Sequence, residues 1–301
     1  MTYVWRSLQY VPAHVEKYVS NPRIREADGV ILDLEDSVPV AEKARARAAL
    51  ATAVTLAGAG GGDVLVRIND GDLADADLVA AVRPGVRALV IPKVANAEAV
   101  RRLDARVAGL EYGAGLEPGA IRFVVLIETA DGFLDMAGIA SACPRVAAIN
   151  LGAEDFATDI GMACSEETLL GPRQHMAIVA AAAGVMPLGL MGPATRFDDL
   201  DGYRELAERS RRFGYVGSTC IHPSQIAVLN AAFSPTPEEV AQAARVVAAA
   251  QEADRDGRGA FAIDGRMIDA PIVARAEALL QRHHTIEART GSSKGGVSTA
   301  G

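Results

Sequence analysis

A chain of 301 residues, 50% hydrophobic and 5% aromatic, can bury a large aliphatic core, as one barrel or as two smaller domains. Its 38 acidic against 30 basic residues give a formal charge of −8, which excludes the basic field that attracts nucleic acid. Cys143, Cys164 and Cys220 are too widely spaced for a disulfide framework or a zinc site, and no apolar stretch approaches a membrane span. The N-terminus also lacks the basic-then-apolar pattern of a signal peptide, so a soluble cytoplasmic protein without membrane contact is expected.

In chain order, apolar runs predict strands at Ser7–Val11, Val30–Glu35, Val64–Ile68, Ala88–Pro92, Phe123–Ile127, Ala147–Leu151, Pro187–Met191 and Val216–Ile221. Segments rich in Ala, Leu, Arg and Glu predict helices at Ala41–Ala57, Asp75–Val82, Ala97–Val107, Gly132–Ala142, Arg173–Ala183 and Leu200–Phe213. Short apolar runs followed by amphipathic segments mark a parallel sheet. Eight such repeats over roughly 220 residues predict a (β/α)8 TIM barrel, whose usual size is about 250 residues. The competing open, doubly wound sheet wants a phosphate-binding glycine loop after its first strand, where this chain has Val11-Pro12-Ala13-His14. The glycines at 58 and 60–62 follow a helix and precede a strand, so they read as a connector.

Beyond the barrel, expected at 1–233, Thr236, Pro237 and Glu239 have the spacing of a capping box that opens a helix reaching about Ala253. A glycine-rich stretch around Gly257-Arg258-Gly259, the apolar segment Ala260–Ile263, the turn Asp264-Gly265 and a last helix from about Ile272 to Arg282 follow. These make a C-terminal helical extension at 234–285. The tail at 286–301, low in apolar residues, is expected to be disordered.

Glu128 and Asp155 end two neighbouring apolar runs, which puts carboxylates at the carboxyl rim where a barrel keeps its chemistry. Two acids with no His or Cys nearby suit a hard cation such as Mg2+ better than zinc. Each acid alone reads equally well as a helix cap or a salt-bridge partner. The five His residues show neither metal spacing nor a paired nucleophile, and His222 reads as a packed residue at the exit of strand eight.

The motifs Arg6-Ser7-Leu8, Val30 to Pro39 (VILDLEDSVP), Val66-Arg67-Ile68-Asn69, Ile91-Pro92-Lys93, Ile127-Glu128-Thr129-Ala130, Gly152-Ala153-Glu154-Asp155, Ile221 to Gln225 (IHPSQ), Phe233-Ser234-Pro235 and Gly265 to Pro271 (GRMIDAP) occur in one order along the chain. Together they resemble the citrate lyase β-subunit-like (CitE-like) branch of the HpcH/HpaI aldolase superfamily, related to malyl-CoA and citramalyl-CoA lyases. The resemblance implies a homo-oligomer, a trimer or hexamer, and a Mg2+-dependent (or Mn2+-dependent) carbon–carbon lyase. Its ligands would be a CoA thioester and a small 2-oxoacid. An aldolase on free hydroxy-oxoacids, the β subunit of a multiprotein citrate lyase and a non-catalytic binder are the alternatives.

Such a cleavage needs the hydroxyl deprotonated, the thioester enolate stabilised and its carbon protonated. Glu128 and Asp155 are the expected metal ligands, with Glu128 also meeting substrate. Asp33 and Glu35 share a strand face, with Asp36 just beyond, and would hold metal-bound waters. Capping of a helix starting near Pro39 is their other reading. Arg67, in an apolar strand, would bind an oxoacid carboxylate with its planar fork, the alternative being a salt bridge to Glu35 or Asp33. Arg6 is assigned to substrate or CoA contact, and Lys93 to a structural place at the rim. The resemblance implies that Asp269 is the acid/base at the acetyl carbon, delivered from a neighbouring subunit; the alternative is an N-cap of the final helix. Two positions depart from the family pattern. Val15 stands where relatives carry a CoA-phosphate Arg, and Gly217-Ser218 where many carry Gly-Lys.

Overall fold

The computed structural model describes residues 3–193, 198–255 and 261–294. The first half of the barrel runs β1 (Ser7–Pro12), α1 (Glu16–Val19), β2 (Gly29–Asp33), α2 (Lys43–Gly58), β3 (Asp63–Arg67), α3 (Ala74–Ala81), β4 (Val86–Ile91) and α4 (Ala97–Gly113). The second runs β5 (Arg122–Ile127), α5 (Ala130–Leu134), α6 (Met136–Ala140), β6 (Val146–Leu151), α7 (Ala153–Asp159), α8 (Glu166–Ala183), β7 (Met186–Leu188), α9 (Leu200–Arg212), β8 (Ser218–Cys220) and α10 (Ser224–Ala232). The strands are parallel, in the order β7-β6-β5-β4-β3-β2-β1-β8, and a parallel bridge from Leu188 to Gly217 joins the two ends. This is the expected (β/α)8 barrel.

Its strands are apolar on both faces because helices cover the outside while side chains fill the inside. Val30, Ile31 and Leu32, and likewise Phe123 to Ile127, are buried along their whole length. Closure depends on a missing side chain: a Cβ on Gly217 would lie 1.7 Å from the carbonyl oxygen of Trp5. Strand ends differ from the sequence expectation for local reasons. β2 stops at Asp33, not Glu35, because the Asp33 carboxylate accepts the N–H groups of Glu35 and Ser37 and turns the chain. β7 stops at Leu188 because Gly189 turns away with φ of 128°. The chain from Gly152 continues at once into α7, a helix that sequence periodicity did not show.

Contacts divide the chain at Phe233, with Trp5–Phe233 forming one compact unit and Ser234 onward the other. The second unit pairs α11 (Pro237–Arg255) with α12 (Ala270–Lys294), joined through the antiparallel hairpin β9 (Phe261–Ile263) and β10 (Arg266–Ile268). Thr236 and Glu239 exchange their capping hydrogen bonds at 2.8 and 3.2 Å. Asp264 and Gly265, both at positive φ, make the tight hairpin turn. Ala243, Val246, Ile268 and Ala276 form this unit's own small core. α12 runs on to Lys294, so 286–294 is helical where a disordered tail was expected. The glycine-rich stretch at 257–259 and the end of the tail, 295–301, lie outside the described residues. Among the described residues no helix is long and apolar enough to cross a membrane.

Candidate active site

Glu128 follows β5 directly and is buried at the carboxyl end of the barrel. Two features of neighbouring strands aim it. The backbone N–H of Lys93, two residues beyond β4, donates to Glu128 Oε2 at 2.8 Å, and Lys93 holds φ at 51°, a left-handed conformation that a side chain rarely adopts. After β6, Gly152 leaves room that a side chain would fill, since a Cβ there would lie 2.5 Å from Glu128 Cγ and 2.6 Å from Oε1. Asp155 sits in the first turn of α7, exposed, and lines the same cavity. Burial pushes the Glu128 carboxyl up to about 7; the Lys93 N–H opposes the rise, while the charges of Asp155 and Glu35 add to it.

The ends of β2 and β3 supply a second cluster. Arg67, the last residue of β3, grips Asp33, the last of β2, through Nε (2.7 Å) and Nη2 (2.6 Å). Its Nη1 lies 2.7 Å from Glu35 Oε2 and 3.1 Å from Asp36 Oδ2. The salt-bridge alternative for Arg67 is therefore realised, and the fork expected to take a substrate carboxylate has its Nε edge taken up by Asp33. Burial alone would raise the Asp33 carboxyl, but the hydrogen bond and charge of Arg67 outweigh it and hold Asp33 below the usual carboxylate range. Glu35 goes the other way: burial and the adjacent Asp36 raise it, against Arg67 and Lys93. The Arg67 guanidinium also lies 4.8 Å from the ring centre of Tyr10, on β1. The expected capping of a helix near Pro39 does not occur, because Asp33 caps its own turn and α2 starts only at Lys43.

Lys93 was expected in a structural place at the rim, while Lys43 was missed. The Lys93 ammonium, 3.3 Å from Glu35 Oε1, links the two clusters. Lys43 donates to the carbonyls of Leu34 and Glu35 and to Asn69 Oδ1, fixing the turn after β2. The Val-Arg-Ile-Asn motif and the Pro-Lys dipeptide were the available signals, but the motif does not say that Asn69 is buried and tied to Asp77.

Arg6 is not at this rim. It precedes β1, at the amino end of the strands, where its Nε and Nη2 hold both oxygens of the buried Asp28 at 2.8 Å. Arg6 is not among the residues that line the cavity holding Glu128 and Arg67. Asp269 lies in the second unit, exposed, where its carbonyl and, at 3.4 Å, its carboxylate receive the N–H of Ile272 as an N-cap. His222, expected to be packed, is exposed and holds Ser224 Oγ at 2.7 Å through Nδ1.

Tyr10, Asp33, Arg67, Glu128, Asp155 and Arg173 line one cavity of about 510 Å3, a size that suits a small polar ligand. A hard cation would fit the donors present: Glu128 and Asp155 offer carboxylate oxygens, and burial together with the Asp155 charge disfavours ionised Glu128 without one. Among the described residues no group of three or more His, Cys, Asp or Glu is arranged around a metal, so water or substrate oxygens would complete the shell.

The site is a rim of acids with Arg67 and Arg173 on a (β/α)8 barrel, and the comparisons give its class. The family model for HpcH/HpaI aldolase/citrate lyase matches residues 6–223, and the chain belongs to that family. Citrate lyase subunit beta of Haemophilus influenzae is 34% identical over 281 residues, 92% of this chain and 96% of that one. The L-malyl-CoA/beta-methylmalyl-CoA lyase of Cereibacter sphaeroides is 34% identical over 304 residues, 92% of each. Among solved structures, protein CitE from Mycobacterium tuberculosis in complex with magnesium, acetoacetate and coenzyme A matches with a TM-score of 0.74 at 30% identity, over 94% of this chain and 100% of that one. The protein is a carbon–carbon lyase.

Proposed function

We propose that this lyase is Mg2+-dependent and cleaves a short β-hydroxyacyl-CoA, of the malyl-CoA or citramalyl-CoA kind, into an acyl-CoA and a 2-oxoacid. The observation that carries the reading is Glu128, a buried carboxylate beside a second acid in a cavity that also contains Arg67. The malyl-CoA lyase relative, and the magnesium, acetoacetate and coenzyme A bound by CitE, support it. When bound, Mg2+ (or Mn2+) would serve as Lewis acid and template for the substrate's hydroxyl and adjacent carboxylate.

This chain's residues supply the rest. Glu128 and Asp155 hold the cation, and Gly152 with the Lys93 N–H fixes the direction of the Glu128 carboxylate. Asp33 and Glu35 hold Arg67 in place at the cavity wall. Asp36, whose side chain is 61% exposed, is the partner that an incoming carboxylate can displace from Arg67 Nη1 at little cost. As the C–C bond breaks, its electron pair passes to the acyl carbon as a thioester enolate, and the hydroxyl loses its proton as it becomes the oxoacid carbonyl. We assign Asp269, delivered from a neighbouring subunit of a homo-oligomer, as the acid that protonates that carbon.

The Haemophilus relative favours a second reading, in which the chain acts as one subunit of a multiprotein citrate lyase. One assay addresses both. Purified protein with Mg2+ and either malyl-CoA or citramalyl-CoA should release a 2-oxoacid trapped by phenylhydrazine, and excess EDTA should abolish the signal. Full activity in EDTA would refute the metal role, and no turnover of any CoA ester by the isolated chain would favour the second reading.

A further inference from the structure

The turn after β2 carries Glu35 and Asp36 to the rim, yet its firmest restraints come from behind the cavity wall. Asp77, in the middle of α3, is fully buried and is not among the residues that line the cavity. Its Oδ2 accepts the backbone N–H of Asn69 at 2.8 Å and the Asn69 side-chain Nδ2 at 2.6 Å. Its Oδ1 accepts Arg47 Nη1, from α2, at 3.0 Å. Asn69, just beyond the end of β3, passes the restraint on: Nδ2 also donates to the Leu34 carbonyl at 2.8 Å, and Oδ1 accepts Lys43 Nζ at 2.5 Å. Lys43, the first residue of α2, donates in turn to the carbonyls of Leu34 (3.0 Å) and Glu35 (2.9 Å). Neither Asn69 nor Lys43 lines the cavity.

Contacts of Glu35 at the rim itself are looser. Glu35 Oε2 lies 2.7 Å from Arg67 Nη1 but takes no aligned hydrogen bond from it, and Oε1 meets Lys93 Nζ only at 3.3 Å. A carboxylate held by charge, without hydrogen-bond direction, goes where its backbone carries it. The contacts behind the wall are shorter, and those of Asp77 and Lys43 are charge-assisted, which makes each roughly twice as strong as a neutral pair. The backbone of Glu35 is therefore set by α2 and α3. An acid is needed at 77 because one carboxylate oxygen takes two N–H groups from Asn69 while the other takes a guanidinium. An amide has a single acceptor oxygen and cannot serve both sides.

We infer that Asp77 is a positioning residue of the lyase site: through Asn69 and Lys43 it fixes the turn after β2 where Glu35 lies against both Arg67 and Lys93, and so sets the direction in which Arg67 meets a substrate carboxylate. That role depends on the proposed binding of a carboxylate by Arg67, and a variant of Arg67 separates the two.

Calorimetric binding of pyruvate with Mg2+ reads the state of Arg67, and a double-mutant cycle with Glu35→Gln shows whether Asp77 acts through Glu35. Asp77→Asn should weaken pyruvate binding at least about fivefold alone, and less than about twofold further in the Glu35→Gln background. Lys43→Met removes the half-buried cation of the relay and leaves Asp77 paired, so it should show the same non-additivity even if Asp77→Asn does not fold. Arg6→Ala, at the other end of the barrel, weakens the fold without touching the relay and should leave pyruvate affinity within about twofold. Equal weakening by Asp77→Asn and Lys43→Met in both backgrounds, or by Arg6→Ala as well, would overturn the positioning role. Weaker binding in Arg67→Lys with unchanged binding in Asp77→Asn and Lys43→Met would also overturn it, leaving the carboxylate role of Arg67 standing. Unchanged binding in Arg67→Lys, or no binding of pyruvate by the wild type, would overturn both.

Discussion

A carboxylate enclosed by the barrel and faced by another acid resists ionisation, and Glu128 is such a group. Its folded value of about 7 lies above the ordinary value of 4.5. A raised acid contributes stability that is fully present below about pH 4.5 and lost as pH rises through about 7. Metal-free Glu128→Gln should therefore gain on the wild type as pH goes from about 5 to 8, by up to roughly 3 kcal/mol, and saturating Mg2+ should shrink the gap. A stability difference that stays flat across that range, measured by urea unfolding, would remove the strain assigned to this carboxyl. Arg67→Lys keeps the charge but cannot hold Asp33 through two nitrogens; we expect a KM increase of at least about tenfold, with kcat less affected. Unchanged kinetics would assign Arg67 to structure alone. At this scale the sequence was informative where a motif coincides with a strand end. Glu128, Asp33 and Arg67 are such cases. It placed Lys93 at the rim without showing its hold on Glu128, and was silent on Gly152, because these parts depend on a left-handed backbone and on a missing Cβ.

Elements place these residues by where they stop. β5 delivers Glu128, β6 ends at Leu151 and Gly152 starts the turn into α7, so the two carboxylates approach across a neighbouring strand pair. Gly152→Ala should push the Glu128 side chain aside, lower the fold's stability by about 1–3 kcal/mol and weaken Mg2+ binding at least as much as activity. A variant that binds Mg2+ normally would show that Glu128 has another way to sit. Arg6 marks the opposite end of β1, and its pair with Asp28 ties β1 to the entry of β2. Arg6→Ala leaves a buried Asp28 without its cation and should cost about 3–5 kcal/mol of stability with KM unchanged. A raised KM at undiminished stability would return Arg6 to the substrate. The existence and order of the strands were legible because both-face burial writes an unbroken apolar run, whereas the ends of β2, β7 and β8 were not. α7 and α10 were not, because each begins immediately after a strand-end loop rich in polar or small residues and shows no clear apolar stripe of its own.

At the scale of the whole molecule, Asp269 belongs to the second unit and not to the residues that line the cavity. Of the apolar residues flanking Asp269 that would dock on a neighbour, Ile268, Ile272 and Val273 pack into the second unit's own core, leaving Met267, 70% exposed, as the one free to do so. If Asp269 acts across a subunit interface, mixing Asp269→Ala with Glu128→Ala protomers under exchange conditions should restore a fraction of wild-type sites from two inactive parents. No recovery despite demonstrated exchange would place Asp269 in its own subunit's site or outside catalysis. The claim on which the rest depends is that Glu128 and Asp155 together hold a divalent cation. Calorimetric titration of Mg2+ into the metal-free protein measures this without any assumption about substrate. One site per chain is expected in the wild type, lost in Glu128→Ala and in Asp155→Ala while both variants keep the barrel's circular dichroism. Undiminished Mg2+ binding in either folded variant would contradict it.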